Sequence, residues 1–154
     1  MIHIPHEIKM ILWAMAPVVE LRGAIVYGLT RQINPWICLL LSCFGSTIVI
    51  PLVYYFMMPL LAYLGKVKGI GLAFLRLQNK AIRQSKKLGK YEFWGLLIFV
   101  GIPLPGTGAW TGAMIASVLS IPLSLAFPAI ALGNVMAGLI VLFLSRGTIK
   151  LFGN

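Results

Sequence analysis

The chain has 154 residues, 60% of them hydrophobic and 10% charged, and its mean hydropathy is +0.95. A soluble domain carries roughly 25% charged residues, so this composition argues against a soluble enzyme and for an integral membrane protein. The formal charge is +10, but eight of the 13 Lys and Arg fall between Lys66 and Lys90, a placement that suits the cytoplasmic flank of membrane spans better than a nucleic-acid surface.

In chain order, His3 and His6 read as solvated residues at the N-terminus. Ala14-Met15-Ala16 looks like a signal-peptidase site, but Glu7 in the leading region and Pro17 after the cut predict that the N-terminus is retained. The first apolar segment, 8–30, is interrupted by Pro17-Val18-Val19-Glu20-Leu21-Arg22-Gly23. Proline and glycine disturb helix regularity there. A charge at membrane depth costs several kcal/mol unless paired or hydrated, and so marks a pathway or site by default. Glu20 has three candidate jobs: to carry a proton, to face a cationic substrate, or to pair with Arg22. Arg22 presents a planar fork suited to phosphate or carboxylate. Its structural alternative is a salt bridge to Glu20, since residues two apart share a face of an extended stretch.

The next segment has no charge between Arg31 and Lys66 and predicts a transmembrane helix over 35–64, kinked at Pro51 and Pro59. Cys38 and Cys43 point some 140° apart at about 100° per residue, so they do not bridge within one helix. Segment 66–90 is the long polar connector. Arg76, Lys80, Arg83, Lys87 and Lys90 recur at helical spacing opposite an apolar stripe. This predicts either an amphipathic helix on anionic lipid or a solvated basic connector.

Segment 93–119 is broken by Gly101-Ile102-Pro103-Leu104-Pro105-Gly106-Thr107-Gly108. Its candidate site groups are Pro103, Pro105, Gly106, Thr107, Gly108, Trp110 and Thr111. Gly112 and Ala116 continue a small-residue stripe from Gly108, which favours close helix packing, as do Gly23, Gly28 and Gly133. A plain transmembrane helix is expected over 121–145, with Asn134 bonding across helices.

The two halves look alike. Gly23-Ala24 and Gly28 match Gly108-Ala109 and Gly112; Pro35 followed by Gly45-Ser46 matches Pro122 followed by Gly133-Asn134. The chain therefore divides into a first repeat (1–65), a basic connector (66–90) and a second repeat (91–154). With the connector in the cytoplasm, broken segments that dip in and return would enter from opposite faces. The expected fold is an all-α integral membrane protein with two re-entrant helical hairpins and two or more transmembrane helices in an inverted-topology repeat. The rival is four kinked spans, because segments of roughly 22–27 residues can also cross once.

Pro17–Ile25 and Gly101–Ala113 resemble the two signature stretches of the putative small multidrug export protein family, and the resemblance covers nearly the whole chain. The architecture also resembles DedA-type membrane proteins, a superfamily associated with moving lipid-linked phosphates and phospholipids between leaflets. Those proteins carry acidic and basic residues at their hairpins. Glu20 and Arg22 fit the first hairpin, whereas the second lacks an arginine here.

The expected function is a small, oligomeric multi-pass transporter of the cell membrane. It would move an anionic or amphipathic, lipid-phosphate-like substrate past the hairpin tips, with Glu20 coupling movement to protons. Proton-coupled export of organic-cation drugs and a non-transporting scaffold are the alternatives. Membrane lipid and a second copy are the expected partners. No enzymatic activity, cofactor, metal or nucleic acid is expected, since no nucleophile–base pair or metal spacing is present.

Overall fold

A computed structural model describes residues 5–64 and 90–152. The expectations for Arg76, Lys80, Arg83 and Lys87 on a lipid-facing helix, and for His3, lie outside the described residues. Lys90 begins a helix, but its side chain also lies outside them. Among the described residues the chain is all helical: α1 (His6–Met15), α2 (Glu20–Thr30), α3 (Pro35–Leu64), α4 (Lys90–Gly101), α5 (Ala109–Val118) and α6 (Leu123–Phe152). Two of these helices, α3 and α6, hold stretches long and apolar enough to cross a membrane, Pro35–Met57 and Leu123–Gly147, each with mean hydropathy 2.2.

The breaks fall where proline and glycine forbid a continuous helix. Pro17 lies in the four-residue turn after α1, and Pro103, Pro105 and Gly106 occupy the longer loop after α4. Pro51 and Pro59 do not break α3, which runs through both as one helix. In an apolar surround, neighbouring groups can re-satisfy a carbonyl freed by proline. The last helix extends past the expected 145 to Phe152. Arg146 and Lys150 end the apolar run but not the helix, because basic residues are favourable near a helix C-terminus.

The short helices α1 and α2 fold back along each other. His6, at the start of α1, hydrogen-bonds through Nδ1 with the Tyr27 hydroxyl near the end of α2 (2.8 Å), and Met10 packs against Gly28. This corrects the reading of His6 as a solvated terminal residue: it ties the two arms together. Both second arms end in the same cap. Ile33 N–H donates to Gly28 O (3.1 Å) around Gln32 at φ 59°, and Ile121 N–H donates to Ala116 O (2.9 Å) around Ser120 at φ 56°. These are Schellman endings, in which a left-handed residue lets the chain turn while satisfying a terminal carbonyl.

The long helices run antiparallel and cross at Ser46 and Asn134, whose side chains hydrogen-bond (Nδ2 to Oγ, 2.9 Å) across an 88-residue separation. Beside each of these polar residues sits a glycine that admits a short helix of its own half. A Cβ on Gly45 would meet Ile11 O of α1 at 2.6 Å, and one on Gly133 would meet Leu97 O of α4 at 2.8 Å. The second arms cross to the other half. Leu21 and Ile25 of α2 reach Gly138 of α6, while the Tyr54 hydroxyl of α3 donates to Ile121 O just after α5 (2.9 Å). The larger core joins Val49, Ile50 and Val53 of α3 to Ala109, Ala113 and Ala116 of α5 and Ala126, Ala129 and Ile130 of α6. Small residues dominate these seams, as expected where van der Waals approach rather than expulsion of water drives helix association.

The outer face of α3 is an exposed apolar stripe at helical spacing: Leu40, Phe44, Ile48, Leu52 and Phe56. In water such a stripe would be an aggregation surface. Against lipid tails it is an ordinary helix face.

Candidate functional site

The two breaks meet. Glu20 opens α2 at φ 49°, a left-handed conformation that few non-glycine residues adopt. Its backbone N–H donates to Ala16 O (3.0 Å) and the Gly23 N–H to Val19 O (3.0 Å), so the turn between α1 and α2 is tight. The stretch is therefore helical at Arg22 rather than extended. The Glu20–Arg22 pair still forms, with Arg22 Nη1 at 4.0 Å from Glu20 Oε2.

Arg22 spends its fork on the other half of the molecule. Nη1 donates to Leu104 O. Nη2 lies within reach of Thr107 Oγ1 (2.9 Å), Thr107 O (3.1 Å) and Ile102 O (3.5 Å). Thr107 is the hub of that loop. Its hydroxyl reaches Ile102 O (2.7 Å) and Leu104 O (2.9 Å) and accepts the Leu104 N–H (3.3 Å). Carbonyls left over after α4 ends are thus gathered onto one guanidinium and one hydroxyl, as loose backbone in a low-dielectric setting requires.

Glu20 does the complementary work at the start of α5. Within that helix's first turn, Gly112 N–H bonds back to Gly108 O (2.9 Å), which leaves the preceding amides open. The Trp110 backbone N–H faces the Glu20 carboxylate. The carboxylate rests directly on the Cα of Gly108, where any Cβ would collide with it. A carboxylate at a helix N-terminus is favoured by the unpaired amides and by the helix dipole. The exchange is mutual, because the Trp110 indole N–H donates to Met15 O (3.0 Å), the final carbonyl of α1.

A cleft of about 420 Å³ opens between the breaks, lined by Pro17, Val18, Val19, Glu20, Arg22, Pro103, Pro105, Gly106 and Thr111. Glu20 is only 8% exposed, and Val18, at 92%, stands at the mouth. Of the residues singled out from sequence, Glu20, Arg22, Pro103, Pro105, Gly106 and Thr111 line this cleft, and Thr107, Gly108 and Trp110 brace it from behind. Of the glycines and alanine assigned to packing, Gly28 sits against Cys38 and Met10, Gly112 against Val100 and Ile130, and Gly133 against α4. Ala116 is fully buried. Gly23 has only the Val19 side chain beside it, so at this position the chain is packing against itself.

Sequence reasoning missed the backbone partners: the carbonyls of Met15, Ile102 and Leu104. The signal was present in principle. A helix stopped at membrane depth leaves terminal carbonyls that need donors, and Arg22, Thr107 and Trp110 are the nearby donors.

The sequence model of the family described as putative small multi-drug export protein matches residues 20–140, which run from Glu20 through α3 and the second break into the last long helix. No curated protein and no solved structure matches the chain.

Proposed function

Since the chain belongs to the putative small multi-drug export protein family, we propose that it is a small membrane transporter whose substrate passes through the cleft between the two breaks. The observation that carries this reading is the Glu20 carboxylate in the cleft wall. A carboxylate has about four acceptor positions. Those of Glu20 meet one backbone amide and one guanidinium at the 4.0 Å limit, so it retains capacity for a donor from a ligand. Arg22 is more heavily committed, because its terminal nitrogens face three carbonyls and a hydroxyl of the second break, although its Nε–H is outside those bonds. An organic cation with apolar bulk against Val18, Pro17 and Pro105 therefore suits the cleft, with Glu20 as its counter-charge. A phosphate head would have to share Arg22 with the carbonyls of the second break.

In this reading the paired short helices are re-entrant. Gly45 and Gly133, where the ends of α1 and α4 dock, lie about 15 Å along their long helices at 1.5 Å per residue, roughly half of a ~30 Å hydrocarbon core. The antiparallel crossing at Ser46 and Asn134 and the recurrence of Schellman end, glycine contact and cap 88 residues on support an inverted-topology repeat. Segment 66–90 then lies in the cytoplasm. Proton coupling falls to Glu20, which exchanges a proton for the substrate cation. The resemblance to DedA-type proteins keeps lipid phosphate as the second reading, and the same assay separates the two.

The experiment is uptake of a lipophilic organic cation into proteoliposomes under an imposed pH gradient, beside leaflet-to-leaflet movement of a labelled polyprenyl phosphate. Gradient-driven cation uptake, abolished by Glu20→Gln in protein of normal thermal stability, is the expected result. Lipid movement without cation uptake would replace the cation reading. Neither activity, with Glu20→Gln and Arg22→Ala only lowering stability, would leave the pair as a structural lock.

A further inference from the structure

A second and larger cavity, about 720 Å³, lies at the other end of the bundle from where segment 66–90 joins. It is an open groove bordered by the end of α2, the turn leading into α3 and the late part of α6. Its volume falls within the 300–1,000 Å³ typical of ligand pockets. The polar lining combines one cation with two amides. Among the described residues Arg146 is the single ionisable one in the wall. Asn34 accepts the Trp36 N–H on Oδ1 (3.0 Å), which leaves its amide NH₂ for a ligand. Gln32 adds a second amide. The other walls are Leu29, Ile33 and Phe143.

A guanidinium with amide N–H groups beside it and no carboxylate in the lining favours an anion rich in acceptor oxygens. The apolar walls select one attached to hydrocarbon. The depth agrees, because the cavity lies where α3 begins and the apolar run of α6 ends, beside an exposed Trp36. Tryptophan favours the level of lipid headgroups. We propose that this cavity is a binding site for the phosphate of an anionic phospholipid, held by Arg146 and the Asn34 amide with its glycerol and first methylenes against Phe143 and Leu29. The site is separate from the cleft between the breaks and stands whether or not that cleft transports.

The test is native mass spectrometry of the full chain in detergent, titrated with phosphatidylglycerol and, separately, phosphatidylcholine. One phosphatidylglycerol should survive activation most strongly, with phosphatidylcholine lost. Arg146→Gln should weaken that lipid about fivefold, the share of one basic residue at a membrane surface. Gly147→Phe should also weaken it while keeping every charge: Gly147 lines the cavity, and a Cβ there meets no atom within 4 Å, so the larger side chain has room to start from an unstrained Cβ. Lys9→Gln, which removes the same charge outside the cavity, should change nothing. Retention of the lipid by both cavity variants, or equal loss with Lys9→Gln, overturns the assignment. Displacement by millimolar glycerol 1-phosphate with the same Arg146 dependence overturns the lipid source in favour of a soluble phosphate.

Discussion

Replacing Gly133 by alanine tests the packing of the whole second half. The new methyl would sit 2.8 Å from Leu97 O, 2.9 Å from Val100 Cβ and 3.2 Å from Gly101 N. These are backbone or near-backbone atoms of α4 and cannot rotate away. Carbon normally approaches such atoms no closer than about 3.3 Å, so α4 must retreat by roughly half an ångström. Overpacking of this kind costs ~1–3 kcal/mol, against a helix-propensity gain for Gly→Ala of ~1 kcal/mol at most. The retreat also pulls on the loop that Arg22 holds. Gly45→Ala should behave alike, since its methyl would meet Ile11 O at 2.6 Å and Ala14 Cβ at 3.0 Å. Gly95→Ala is the control, with no atom within 4 Å. In detergent, Gly133→Ala and Gly45→Ala should each lower Tm, by about 4–8 °C for a net loss of ~2 kcal/mol at roughly 2–4 °C per kcal/mol for a chain of this size. Gly95→Ala should be neutral or slightly stabilising. If Gly133→Ala and Gly45→Ala melted with the wild type, the inference that these glycines set the depth of α1 and α4 would be wrong.

Arg22→Lys keeps the charge but loses the fork that joins Leu104 O to Thr107, and takes from the Thr107 carbonyl its guanidinium donor; a stability loss of ~1–3 kcal/mol in thermal or denaturant unfolding is expected. Thr107→Val preserves shape and removes the hydroxyl that serves Ile102 O and Arg22, so hydrogen exchange at 102–108 should quicken while α6 stays protected. A double-mutant cycle of Ser46→Ala with Asn134→Ala should return a coupling of ~0.6 kcal/mol, and no more than ~1.7, as for other interhelical side-chain bonds in membranes.

Much of the fold was legible because its punctuation is chemical. Pro17 and the Pro103–Gly108 run announce both breaks, and the charge-free stretch after Arg31 bounds α3 at Pro35–Leu64. What stayed hidden depends on partners distant in sequence. Gln32 and Ser120 take left-handed backbone where glycine would have been the readable signal. His6 appears solvent-bound until Tyr27 is placed beside it. Glu20 and Arg22 could be recognised as an intramembrane pair, but only the folded chain gives them separate destinations, one at the start of α5 and one after the end of α4.

The reciprocal capping of the breaks bears on the order of synthesis. Thr107, which receives Arg22, follows it by 85 residues, and Trp110 follows Met15 by 95. At translation rates of ~5–20 residues per second, the first hairpin leaves the ribosome about 4–19 s before the groups that complete it. Through that interval the arginine and glutamate have only each other, and the Met15 carbonyl lacks the Trp110 indole. Water or the insertion machinery must serve the remaining donors and acceptors until the second break arrives. A chain truncated before residue 102 would remain in that waiting state.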